Sequence, residues 1–107
     1  MTSEEQPRNE PCYVISIAAR MVGLHAQTLR YYERVGLVWP SRSQGRQRLY
    51  SQDDIDRLRR IKTFTEELGM NLAGAEVAIK LVDRIEELEA RIDTLTTQLK
   101  EARARKR

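Results

Sequence analysis

The residues best suited to chemistry lie between His25 and Arg48. Gln27, Arg30, Tyr31, Tyr32 and Arg34 crowd a ten-residue stretch with the pattern of a short helix, and Arg42, Arg46 and Arg48 follow in a segment rich in turn residues. These groups bind rather than break bonds. A glutamine amide pairs bidentately with adenine and an arginine guanidinium with guanine. Tyrosine hydroxyls reach phosphate oxygens, and loop arginines meet phosphates or enter a narrow minor groove. Bond-making chemistry has no comparable support. There is no Ser/His/Asp or Cys/His set and no glycine-rich phosphate loop. His25 and Cys12 are the single histidine and cysteine, so neither an intrachain disulfide nor a metal site can be assembled. The expectation is a binding protein, not an enzyme, with no cofactor and no metal.

Charge points the same way. The whole chain carries +3, but Arg20 to Lys62 holds ten Lys/Arg against four Asp/Glu, an excess of +6, leaving −3 for the remainder. A basic module on an acidic remainder is the electrostatic footprint of a polyanion binder.

The elements that must hold these groups can be read from glycines, caps and apolar spacing. Tyr13-Val14-Ile15 is a candidate edge strand, and Ser16 is placed to cap a first helix that stops at Gly23. A second helix spans about Ala26 to Val35 and stops at Gly36, with Leu29 and Val35 inward and Gln27, Arg30, Tyr31 and Arg34 projecting elsewhere. Two short helices joined by a tight glycine-containing turn form a helix-turn-helix, whose second helix presents its N-terminal residues to base edges. Gln27 and Arg30 are then the base readers. From Leu37 to Tyr50 the helical pattern disappears and no acidic residue occurs. Leu37-Val38-Trp39 and Gln47-Arg48-Leu49-Tyr50 read as two arms of a hairpin, a basic wing. Ser51 with Asp53 and Asp54 opens a third helix whose apolar face is Ile55, Leu58, Ile61, Phe64 and Leu68, ended by Gly69. Asn71 caps a fourth, carrying Leu72, Ala75, Ala78 and Ile79.

Leu81, Ile85, Leu88, Ile92, Leu95, Leu99 and Ala102 recur at alternating spacings of four and three, about three heptads of coiled-coil seam. Strict a/d spacing with charged flanks favours pairing with a second copy over folding back on the same domain. Nothing separates Leu72–Val82 from the heptads, so one long helix and a bend near Leu81–Arg84 both stand. The domain scheme is a disordered leader over 1–12, a winged helix-turn-helix domain over 13–82, a dimerisation coil over 83–102 and a basic tail over 103–107 that frays. No apolar run spans a membrane and the N-terminus lacks a signal-peptide core, so the expected location is the cytoplasm, at the nucleoid.

Each candidate also has a plainer reading. Tyr32, three residues after Leu29, and Tyr31 can be core packing with a wet tip. His25, where a capping Ser or Asp is expected, can face a phosphate or simply solvent. Trp39 beside Pro40 reads as packing at the wing base more readily than as a stacking platform.

Leu29-Arg30-Tyr31-Tyr32-Glu33, Gly36-Leu37, Pro40-x-Arg42, Arg48-x-Tyr50 and Asp53-Asp54-Ile55, in that order, resemble the MerR family of bacterial transcription regulators, from about Tyr13 to Leu99. The resemblance implies a mainly α protein: a winged helix-turn-helix DNA-binding domain followed by a C-terminal coiled-coil helix. It implies a homodimer, paired through an antiparallel coil, on double-stranded DNA with an inverted repeat. Arg30, Tyr31, Tyr32, Arg42 and Arg48 are the DNA-facing positions that it implies. The coil's own Ile at a and Leu at d ordinarily suit a parallel pair, but the sequence excludes neither orientation. Gly23 to Arg30 and Asn71-Leu72-Ala73-Gly74 look most like the family's heat-shock repressors, which implies repression of chaperone genes with the DnaK chaperone as co-repressor. The chain departs from the family at the wing tip, where Arg46 and Gln47 replace a Gly-Tyr pair. It lacks the cysteines of metal-sensing members and, within this chain, the large ligand domain of drug-sensing ones. Regulation of another stress regulon, a DNA-architectural or recombination accessory role, and a coil with an incidental basic face remain as rival readings.

Overall fold

The computed structural model describes residues 7–106. Its elements run β1 (Tyr13–Val14), α1 (Ile15–Val22), α2 (Ala26–Arg34), β2 (Ser41–Arg42), β3 (Arg48–Tyr50), α3 (Gln52–Lys62), a π-helical turn (Thr63–Glu67) and α4 (Leu72–Arg105). The molecule is mainly helical, and a three-stranded antiparallel sheet, ordered β1-β3-β2, braces one side.

Two glycines fix the geometry of the first helix pair. Gly23 takes φ 73° and its N–H bonds to Ala19 and Arg20 carbonyls, while Leu24 N–H reaches back to Ala19. That left-handed residue ends α1 and turns the chain into α2. The Lys62 ammonium closes the same end from outside, donating to the Val22 carbonyl at 3.0 Å. Gly36, at φ 84°, ends the second helix, with Leu37 N–H bonded to the Tyr32 carbonyl. Neither start is capped by a side chain. Val14, not Ser16, is the N-cap of α1, so the Ser16 expectation is corrected; pairing of Tyr13 and Val14 with β3 holds the chain extended up to the helix start. His25 is the N-cap of α2 and makes no capping bond.

The wing differs from expectation in its first arm. Leu37 and Val38 are wholly buried rather than stranded, and the arm is Ser41–Arg42, opposite Leu49 and Arg48. The apolar pair is core filler that leads the chain out to Pro40. Leu37, Val38, Ala18, Leu29, Tyr50, Ile55, Leu58, Ile61 and Ile79 make one core where α1, α2, β3, α3 and the root of α4 meet.

Ser51 and Asp54 form a reciprocal capping box at the start of α3, with Ser51 Oγ accepting from Asp54 N–H at 3.1 Å and Asp54 Oδ2 accepting from Ser51 N–H at 2.9 Å. The far end departs from the predicted face. The turn over Thr63–Glu67 closes with bonds from Leu68 N–H to the Thr63 carbonyl. Thr65 Oγ1 bonds back to the Ile61 carbonyl at 3.1 Å. The wider turn rotates Leu68 off the apolar stripe, leaving it 62% exposed.

Asn71 Oδ1 accepts from Gly74 N–H at 2.8 Å and starts α4, which then runs unbroken for 34 residues, about 51 Å at 1.5 Å per residue. The helix is continuous through Leu81–Arg84 and goes on to Arg105, into the stretch read as a fraying tail. The leader expected over 1–12 lies outside the described residues at 1–6; from Pro7 the chain makes bonds to β3 and α3. The Arg8 carbonyl accepts from Asp53 N–H, its guanidinium pairs with Asp53 and Asp56, and Cys12 N–H bonds to the Tyr50 carbonyl. Free N–H groups and carboxylates at the start of α3 supply those partners.

Candidate nucleic-acid interface

Helix α2 divides cleanly. Leu29 and Tyr32 are buried, while Gln27, Arg30, Tyr31 and Arg34, spaced i, i+3, i+4 and i+7, form one exposed stripe with His25 at its N-terminal end. The stripe is internally ordered. Arg30 Nη1 donates to Gln27 Oε1 at 3.0 Å, and the Arg34 guanidinium lies 5.4 Å from the Tyr31 ring centroid.

Tyr32 does not belong to this surface. At 6% exposure it packs in the core, as the plainer reading has it, and its place three residues after Leu29 sets it on the inward face. Burial raises its hydroxyl pKa above the ordinary value, with Thr65 pulling the other way. Tyr50 is fully buried beneath the wing; burial and the Glu33 carboxylate push its hydroxyl up to about 12.

The wing carries Arg42 and Arg48 directly opposite each other across β2 and β3. Arg42 and Arg46 are exposed and Arg48 is half-buried. The tip is closed by Arg46 N–H to the Ser43 carbonyl at 2.8 Å and Ser43 N–H to the Gln47 carbonyl at 2.9 Å. Arg46 itself takes φ 66°, the only non-glycine residue at positive φ among the described residues, at the position where the sequence departs from the family's Gly-Tyr. Seven of the eight candidate contact residues are therefore at least partly accessible, on α2 or on the wing beside it.

Two residues that no spacing singles out organise this region. Glu33, on α2, bonds to both Arg42 and Arg48. Arg57, on α3, donates Nε to the Leu37 carbonyl at 2.5 Å, pairs with Asp83 at 2.7 Å and lies over the Trp39 ring. Trp39, expected to pack at the wing base, is 64% exposed and touches the fold through that stacking. Both networks join residues distant in the chain, so spacing could not have shown them.

The six seam residues Leu81, Ile85, Leu88, Ile92, Leu95 and Leu99 are 40–61% exposed along α4, on the side away from the Ala75 and Ile79 contacts with the core. Val77, 59% exposed, extends the stripe one step toward the domain.

A model of the MerR helix-turn-helix regulatory protein family matches residues 13–81, from the first strand through the root of α4. The chain belongs to the MerR family. It is 46% identical over 95 residues to a Streptomyces coelicolor protein named "Putative heat shock protein HspR", covering 89% of this chain and 63% of that one. It is 39% identical over 71 residues to the transcriptional regulator GlnR of Bacillus cereus, covering 66% of this chain and 54% of that one. The chain thus spans less than two thirds of the length of these relatives. The crystal structure of a MerR-family regulator from Bacillus cereus superposes with TM-score 0.59 at 27% identity, over 86% of this chain and 73% of that one. The MerR regulator HiNmlR, solved bound to promoter DNA, shares the fold with TM-score 0.59 at 22% identity, over 85% of this chain and 75% of that one. The matched model is that of a helix-turn-helix regulatory protein, and it covers the helices and the wing that carry the candidate interface. Among the described residues there is no metal-ligating cluster, and no helix is long and apolar enough to cross a membrane.

Proposed function

We propose that this MerR protein is a homodimeric repressor of heat-shock and chaperone genes that binds an inverted repeat, with the DnaK chaperone as co-repressor. The observation that carries the DNA-binding geometry is the exposed stripe of α2 standing beside an arginine-bearing wing. Gln27 and Arg30 read base edges in the major groove; His25, Tyr31, Arg42, Arg46 and Arg48 meet the phosphate backbone. The exposed seam from Leu81 to Leu99 supports pairing of two copies, which calls for two half-sites. The heat-shock assignment rests on the similarity to the Streptomyces protein named for that response. The similarity to GlnR, confined to a shorter stretch, favours a second reading in which the same domain controls another regulon.

The test is binding to duplexes selected from a random pool. The expected product is an inverted repeat bound with a steep salt dependence, since each phosphate contact releases counterions. Ile92→Asp, in the seam but outside the domain core, should give a folded monomer by sedimentation and lose most affinity for the repeat. Addition of DnaK should tighten binding. Equal affinity for every sequence would sink the repressor reading, and unchanged affinity across a DnaK titration would sink the co-repressor.

A further inference from the structure

Glu33 is the only carboxylate between Arg20 and Gln52, a stretch that holds five arginines. A surface built only to attract a polyanion has no use for it. Its position shows what it does. Oε2 accepts from Arg42 Nη2 at 3.1 Å, and Oε1 accepts from Arg48 Nε at 2.5 Å. One carboxylate on α2 thus holds two arginines on two different strands. Its side chain is 23% exposed and that of Arg48 24%, so the pair between them is partly shielded from solvent, unlike a surface ion pair.

Those arginines need an anion. They face each other directly across β2 and β3, where like charges repel. The strands are two and three residues long, too short to hold a hairpin by their own ladder. Arg42 also donates Nη1 to the Arg46 carbonyl at 3.3 Å, carrying the clamp out to the wing tip. Among the described residues these bonds engage two of the five guanidinium N–H donors of Arg42, and the others can meet an outside oxygen.

We propose that Glu33 is a positioning residue of the DNA interface: shared between Arg42 and Arg48, it locks the wing to α2, so that a negative charge on this face strengthens DNA binding. The inference rests on the DNA-contact reading given above, and it makes a prediction opposite in sign to simple charge counting. Removing a carboxylate from a polyanion-binding face should, by charge alone, tighten binding and steepen the salt slope. If Glu33 positions the wing, Glu33→Gln instead weakens binding, on the order of tenfold, and makes the slope shallower by about one as an arginine–phosphate contact is lost.

The measurement is salt-dependent affinity of the full chain for a duplex that the unsubstituted protein selects from a random pool, with thermal melting as the check on folding. Glu33→Asp keeps the charge on a stem one methylene shorter, reaches one guanidinium rather than both, and should fall between the two. In the Arg42→Ala/Arg48→Ala background, Glu33→Gln should have no further effect, because its action runs through those side chains. Tighter binding by Glu33→Gln with a steeper slope overturns the proposal, as does a weakening that persists without the two arginines. Failure of the unsubstituted protein to select any duplex would instead overturn the DNA-contact reading itself, and the proposal with it.

Discussion

The Arg57 guanidinium lies 4.9 Å from the centroid of the Trp39 ring, tying the exposed base of the wing to α3. The same side chain bonds the Leu37 carbonyl and pairs with Asp83, so one arginine joins the wing, the third helix and the long helix. Only 16% of it is exposed. Arg57→Ala should therefore cost about 2 kcal/mol in urea denaturation, from a lost charge-assisted hydrogen bond and an uncovered carbonyl. Arg57→Lys should recover little of it, since an ammonium cannot stack and fork at once. Trp39 is the sole tryptophan, so a change in its fluorescence in the folded state reports the same loss.

Arg46 separates stability from binding. At φ 66° its backbone is in the region that disfavours side chains, at a cost of about 1 kcal/mol. Arg46→Gly should raise the melting temperature slightly or leave it unchanged, because strain relief is offset by a more flexible unfolded chain. If its guanidinium meets a phosphate, the same change lowers the salt slope of DNA binding by about one. Calorimetry and a salt titration on one variant read both effects.

Tyr50 gives a prediction with a pH sign. Its hydroxyl is buried with no hydrogen-bond partner among the described residues. Tyr50→Phe should thus stabilise the fold at neutral pH by about 1 kcal/mol, against the usual direction of core substitutions. The folded-state pKa of about 12 lies above the unfolded value near 10. Stability tied to the neutral hydroxyl is then intact below pH 10 and is lost as pH rises toward 12. Urea midpoints measured across that window should fall more steeply for the unsubstituted protein than for Tyr50→Phe.

At Gly23 the left-handed backbone sets the cost of a side chain. An added Cβ would stand 2.7 Å from Lys62 Nζ, a flexible end that can move, whereas φ 73° cannot be relieved without undoing the turn. Gly23→Ala should destabilise by about 1–2 kcal/mol and Gly23→Asn by less, measured by thermal melting.

What could be read from sequence was local. Gly23, Gly36, Ser51 and Asn71 act within four or five residues of themselves, so helix ends were legible from residue type. Leu37 and Val38 were misplaced because an apolar pair looks alike in a strand and in a core; only the tertiary fold separates the two. Leu68 kept the helical spacing but lost the face, because the turn at Thr63–Glu67 adds a residue that no apolar pattern records. Ser16 looked like a cap because its side chain could make the bond, while pairing of Tyr13 and Val14 had already started the helix. Within the candidate interface, Gln27, Arg30, Tyr31 and Arg34 were recognisable from spacing. The roles of Glu33 and Arg57 were not, since their partners lie nine to twenty-six residues away.

The continuity of α4 makes it a long lever. Its root, at Ala75 and Ile79, is set in the core, and its far end at Arg105 lies about 40 Å farther along the axis. A tilt of about 5° about that root would displace the tip by about 3–4 Å, and the converse holds: a modest push on the distant end becomes a small, coherent swing of α2 and the wing together. A second copy paired along the outer turns, as proposed above, would thus set the tilt of a domain it does not touch.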